Sequence, residues 1–267
     1  MADSKPPSRS LSRHSRAGGN LPLHEALGIT RPAVFATVGG GGKTTVLFAL
    51  AAEWEAAGGD GLTVLTTTTK MTIPAEGRTL PLAIGRDDAF RAGALDDIRS
   101  RGRASAVVGS GRGDRERVLG VDPSWPRNAV DAGLASLVGV EADGSRGRPF
   151  KAPGVHETVI PDSVNVVAAV NGAAVLGRPL DDRSVHRPEI AAQIAGAQLG
   201  DEVTPELAAK VLMSPDGGRK GVPESAEFVV LVSGVSRNPE ASRALADCVD
   251  GRVVLWDAGS GVLEIVT

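Results

Sequence analysis

The stretch AVFATVGGGGKTTVLFAL, Ala33 to Leu50, runs a β-branched apolar segment into four glycines, then Lys-Thr-Thr, then an apolar segment at helical spacing. Strand, glycine loop and helix in that order read as a phosphate-binding loop. Consecutive glycines let backbone N–H groups turn inward as an anion nest without Cβ clashes. The helix start adds its own unpaired N–H groups and the positive end of its dipole. On this reading Gly39, Gly40, Gly41, Gly42 and Thr45 surround the phosphates of ATP or GTP. Lys43 reaches the β- and γ-phosphates, and the Thr44 hydroxyl ligates Mg²⁺. The pattern G-x-x-x-x-G-K-[ST] is missed at one place, where Thr37 stands for the first glycine. Val38 stands where one subclass carries a further lysine. A glycine linker followed by a chance Lys-Thr is the competing account, and it leaves the strand before and the helical spacing after unexplained.

A second motif belongs with the first. Leu137–Val140 is an apolar strand that delivers Glu141 and Asp143. Alternation along a strand puts these two acids on one face. Beside a phosphate loop, such a carboxylate holds Mg²⁺ or orients a water or acceptor hydroxyl. Asp143 is therefore expected to share Mg²⁺ with Thr44, and Lys43, Glu141 and Asp143 form the expected catalytic set. Asp-Gly is also a strong turn pair, so a plain surface turn is the alternative. Arg146, Arg148, Lys151 and His156 follow closely, a run of cations suited to a phosphate or an anionic substrate. Upstream, Leu62–Thr66 ends in Thr67-Thr68-Thr69-Lys70. Thr67, Thr68 and Lys70 then lie on the edge where doubly wound sheets bind ligands, although threonines also simply suit strands.

Around these motifs the chain alternates strand and helix. Further strands are expected at Leu80–Ile84, Ala104–Gly109, Arg117–Val121, Val164–Val170, Glu227–Ser233 and Arg252–Asp257. Helices are expected at Lys43–Ala57, Asp87–Arg99, Pro126–Leu134, Pro188–Leu199, Pro205–Leu212 and Pro239–Val249, with a short one within Leu21–Ile29. Gly58 and Gly59 end the first long helix as C-terminal caps. The strands at 104–109 and 117–121, either side of a glycine turn, read as a hairpin. The fold class is α/β, a mostly parallel sheet flanked by helices, mixed at one edge and with a small irregular annex. Residues 1–30 read as a polar, poorly ordered extension, and 31–267 as one nucleotide-binding domain.

Composition narrows the function. In 267 residues, Lys+Arg 29 against Asp+Glu 32 gives net charge −3, so no global basic field points to nucleic acid. Aromatic residues are only 3%, which removes stacking platforms for single-stranded bases. No apolar run reaches membrane-spanning length. The single cysteine, Cys248, is read as a buried small hydrophobe, and a cytoplasmic setting follows from cysteine usage. His14, His24, His156 and His186 are scattered, which speaks against zinc.

GGGGKTT at 39–45, LTTTTKM at 65–71, EADGSRGRPFKAP at 141–153 and LGRPLDDRSVHRPE at 176–189 together resemble the YqeC family. The resemblance covers roughly residues 33 to 260. It implies a nucleotide-binding accessory factor in selenium-cofactor biosynthesis, or in maturation of a selenium-dependent molybdenum hydroxylase. The hydroxylase or its cofactor would then be a partner. One departure is Val232-Ser233-Gly234-Val235, where an Asn-rich strand end is expected. Two other readings fit the same motifs. A small-molecule kinase or phosphotransferase would seat its acceptor between the Thr67–Lys70 edge and the 146–156 loop, and a sensing protein would bind nucleotide without turnover.

Overall fold

The computed structural model describes residues 15–17, 21–56, 61–73, 79–114 and 117–267. Met1 to His14, the remainder of the extension at 18–20, and the cap glycines Gly58 and Gly59 lie outside them.

A ten-stranded sheet organises the chain, in the order β1-β15-β14-β13-β11-β2-β9-β3-β6-β5. Its strands are β1 (Ser15–Ala17), β2 (Ala33–Gly39), β3 (Thr63–Thr67), β5 (Leu82–Ile84), β6 (Ser105–Gly109) and β9 (Leu137–Glu141), together with β11 (Val166–Gly172), β13 (Glu227–Ser233), β14 (Val253–Asp257) and β15 (Gly261–Val266). From β14 across to β5 every pairing is parallel, and the two antiparallel pairings, β14–β15 and β15–β1, lie at one edge, so only β15 runs against the rest. The mixed edge therefore lies beyond β14. The segments 104–109 and 117–121 do not form a hairpin with each other. The first contains β6, inside the parallel sheet, and the second contains β8 (Val118–Leu119). That strand pairs antiparallel with β7 (Gly111–Arg112) and β4 (Lys70–Met71) in a separate small sheet. A two-residue pairing joins β10 (Phe150–Lys151) to β12 (Val185–His186).

Period-2 alternation decides which side chains go to which face. In β2, Val34, Ala36 and Val38 enter one apolar cluster while Ala33 and Phe35 enter the other. On the Phe35 face lie α1 (Leu23–Ala26) and α2 (Lys43–Ala56), the latter burying Val46, Leu47, Leu50 and Ala51 at i, i+3, i+4 spacing. The opposite face carries α3 (Asp88–Ser100), α4 (Trp125–Asp131), α5 (Pro188–Ala195), α6 (Pro205–Met213) and α7 (Pro239–Cys248). Leu23, Ala26, Leu27 and Ile29 are buried, and β1 pairs with β15, so the packed body reaches back before residue 31. Cys248, expected to be buried, is exposed at the end of α7, because Leu245 and Ala246 take the inward positions there.

Candidate functional site

Because eight adjacent strands are parallel, their carboxyl ends share one edge, and the register is level across it. Thr37 and Thr67 both sit opposite Glu141, Val170 sits opposite Gly39, and Gly172 opposite Ser233. The glycine loop leaves β2 between β9 and β11. Thr37, in place of the first motif glycine, is buried with its hydroxyl donating to Val140 O, so it serves the sheet.

The loop is tied down by its neighbours. Gly39 N–H donates to Asp143 Oδ2 (2.9 Å), Gly40 N–H to Val170 O (2.9 Å) and Gly41 N–H to Arg148 O (3.1 Å). Gly41 sits at φ +79 with its Cα against Gly172 and Pro149, where a Cβ would fall 2.3 Å from Gly172 N. These N–H groups are therefore not turned toward a ligand, contrary to the expectation of a four-glycine nest. The N–H groups that have no partner among the described residues belong to the next turn. Val46 N–H makes the first helical bond, to Gly42 O, so Gly42, Lys43, Thr44 and Thr45 leave theirs unpaired.

Behind this turn lies a chain of alternating charge. Lys43 is 4% exposed, its Nζ 2.6 Å from Gly39 O and 3.1 Å from Asp143 Oδ1. Asp143 is 1% exposed, and its Oδ2 also meets Lys151 Nζ at 2.9 Å. Lys151 continues to Glu157 (2.5 Å) and to Gly144 O (2.7 Å). Glu157 accepts a bidentate pair from Arg187 at 2.8 and 2.7 Å. Asp143 Oδ1 has ion-pair contact with Lys43 but no hydrogen bond, which leaves one buried acceptor unfilled. Burial raises the Glu157 carboxyl, but hydrogen bonds from Arg187 and Lys151 outweigh it and hold the group down at about 2. His186 is pushed down to about 4, by burial first and then by Arg187 and Lys151.

Thr44 is paired with Glu141, not Asp143: its hydroxyl donates to Glu141 Oε2 at 2.5 Å. Burial pushes the Glu141 carboxyl upward against the pull of Lys43 and Thr44. The Thr44 hydroxyl and the Glu141 carboxyl are the oxygen groups beside the α2 start that line the cleft, while Asp143 lies behind the loop between Lys43 and Lys151. Among the described residues no group of three or more His, Cys, Asp or Glu is placed to hold a metal.

In front of the α2 start opens a cleft of about 900 Å³, lined by Lys43, Thr44, Thr45 and Glu141, by Arg146 and Arg148, and by Lys70 and Arg117. The remaining expected contacts sit elsewhere. Thr67 is buried, its hydroxyl donating to Glu141 O at 2.7 Å, and Thr68 donates to Val159 O at 2.5 Å. Lys151 is spent on carboxylates, and exposed His156 does not line the cleft. Arg148 Nε donates to Asp182 O. Four participants were not anticipated, among them Glu157 in the charge chain and Arg117 at the cleft. Ser233 Oγ donates to Gly41 O from the end of β13, and Arg187 closes the charge chain. Arg187 lies within the 176–189 block, and Ser233 within the departing Val232–Val235 strand end.

Fold and site thus define an α/β protein with a glycine loop and a cation-lined cleft at the carboxyl edge of a parallel sheet. Residues 35–189, which contain the carboxyl ends of six of those eight strands, match the family described as YqeC protein. The chain is similar to the uncharacterized protein YqeC of Escherichia coli (strain K12), 34% identical over 209 residues, 78% of each chain. It belongs to the YqeC family.

Proposed function

We propose that this chain binds a Mg²⁺–nucleoside triphosphate, ATP or GTP, at the start of α2, and acts as an accessory factor in selenium-cofactor biosynthesis or in maturation of a selenium-dependent molybdenum hydroxylase. The observation that carries the first part is the run of four unpaired N–H groups, Gly42 to Thr45, opening on the cleft beside Lys43 and the Thr44–Glu141 pair. Phosphate oxygens accept from those groups and gain from the helix dipole. Lys43 turns from Asp143 to the β- and γ-phosphates, and Lys151 stays on Asp143, so no bare carboxylate is left behind. Thr44 and Glu141 would hold Mg²⁺ at the cleft, and the ion would neutralise phosphate charge there. Glu141 or Asp143 orients a water or an acceptor hydroxyl. The second part rests on family membership and the resemblance of the motif blocks.

Calorimetric titration with Mg–ATP and Mg–GTP tests the binding. Lys43→Ala should weaken the preferred nucleotide by about 1.5–3 kcal/mol, the scale of hydrogen bonds to charged groups. Thr44→Val should abolish the Mg²⁺ dependence while metal-free binding persists. Unchanged affinity in a folded Lys43→Ala chain would overturn the reading. Hydroxylase activity in cells carrying Lys43→Ala as their only copy tests the accessory role.

A further inference from the structure

The side of the cleft away from the glycine loop has no account in the binding of a triphosphate. It is built by the small sheet of β4, β8 and β7, which packs where β3 and β6 end. Gly120 N–H donates to Thr69 O and Val121 N–H to Thr67 O. Lys70 stands on β4, Arg117 immediately precedes β8, and Thr69 and Thr72 flank β4, all four reaching the cleft. Arg146 enters from the loop after β9, with its backbone at φ +50. A non-glycine residue held in the left-handed region costs free energy, and such strain clusters at ligand clamps.

Lys70, Arg117 and Arg146 make no ion pair with a described residue. The two acids that reach the cleft are already engaged, Glu141 by Thr44 and Glu157 by Lys151 and Arg187. Three cations and two hydroxyls thus face the cleft, the cations without an ion-pair partner among the described residues, which concentrates anions there. Adjacent strands are about 4.8 Å apart, and β9 separates β2 from β3, so Lys70 and Arg117 stand roughly 10 Å along the sheet edge from the phosphate loop, with Arg146 entering from the loop after the intervening β9. That separation exceeds what a triphosphate held on Gly42–Thr45 needs for its own charges. A volume of about 900 Å³ also lies near the top of the range for small-molecule sites, roughly 300–1,000 Å³.

We propose that the Lys70–Arg117–Arg146 wall is a second subsite, for a multiply charged small anion bearing phosphate or carboxylate groups, filled together with the nucleotide. The proposal rests on the nucleotide reading for its first occupant only. The small sheet then has a role, as the platform for a co-substrate, and the two guanidinium groups supply forked donors that match either anion.

Calorimetry on the full chain decides it, in two settings: wild type saturated with Mg²⁺ and a non-hydrolysable ATP or GTP analogue, and nucleotide-free Lys43→Ala without metal. Each is titrated with inorganic pyrophosphate and, separately, with citrate, and each titration is repeated in a Lys70→Gln/Arg117→Gln background. One of the two anions should bind in both settings, and the tighter one names the acidic group preferred. The double substitution should weaken that binding by about tenfold or more, as loss of charged hydrogen-bond donors does. Affinity for the nucleotide analogue should change by less than about twofold, given screening over that distance. Absence of binding by both anions, or equal binding to the doubly substituted chain, overturns the subsite. If the analogue fails to load wild type, the nucleotide reading falls by itself, and the Lys43→Ala arm still reads the second wall.

Discussion

The two sides of the cleft handle charge in opposite ways. Beside the glycine loop, Lys43, Asp143, Lys151, Glu157 and Arg187 alternate in sign, and each touches the next. Across the cleft, Lys70, Arg117 and Arg146 have no ionic partner among the described residues. The difference follows from solvation. A buried charge without a partner costs several kcal/mol, so those that fold inside must be matched, and unmatched ones persist only where water or a ligand reaches them. The matched side fixes the shape of the loop, while the unmatched side keeps its charge for something that arrives.

The largest effect that would break this comparison is on Asp143. Asp143→Ala strands Lys43 and Lys151 without their shared carboxylate, and unfolding in urea should register a loss of about 3–5 kcal/mol. A loss below 1 kcal/mol, an effect of about the ordinary surface kind, would mean the charge chain does not hold the loop. Gly41→Ala comes next, since its Cβ would meet the backbone of Gly172 at 2.3 Å and at φ +79. Neither backbone can yield cheaply, so a stability loss of about 1–3 kcal/mol is expected, with weakened nucleotide binding alongside. A smaller effect is on pH dependence. Folded His186 takes its proton only at about 4, against 6.5 ordinarily, so stability should fall as pH drops from 6.5 toward 4. Glu157, held at about 2 against 4.5, continues the loss from 4.5 toward 2. Urea midpoints measured against pH should show His186→Gln flattening the upper part of that slope and leaving the lower part. Least affected should be the stability of the Lys70→Gln/Arg117→Gln chain, within about 0.5 kcal/mol of wild type. A larger loss would show that these cations are structural, and the contrast between the walls would disappear.

Local features were legible in the sequence, and long-range ones were not. The strand, glycines and helix at 33–56 are adjacent in the chain, and the apolar run before Glu141 announced a strand ending at the same edge. What spacing could not decide was which of two acids, two residues apart, would reach Thr44. That depends on the turn after β9, which sends Glu141 to Thr44 and Asp143 back under the loop to Gly39. Lys151 looked like an anion ligand because its carboxylate partners, Asp143 and Glu157, come together with it only when the chain folds back. Thr67 looked like an edge hydroxyl, but a buried hydroxyl must find an acceptor, and Glu141 O lies beside it. Ser233 could not be paired with Gly41 by any local rule, being 192 residues away.

That last separation has a consequence for how the site comes into being. The glycine loop touches Asp143 across 104 residues of chain and Ser233 across 192. During synthesis the segment 33–56 emerges long before β9, β11 and β13, whose insertion beside β2 gives the loop its walls. Contacts at such range are formed late and slowly, because the chain must close large loops before any of them is rewarded. Competence to bind at the α2 start is therefore a property of the nearly finished chain, and truncation before β13 should leave a loop with the right residues and no shape to hold them.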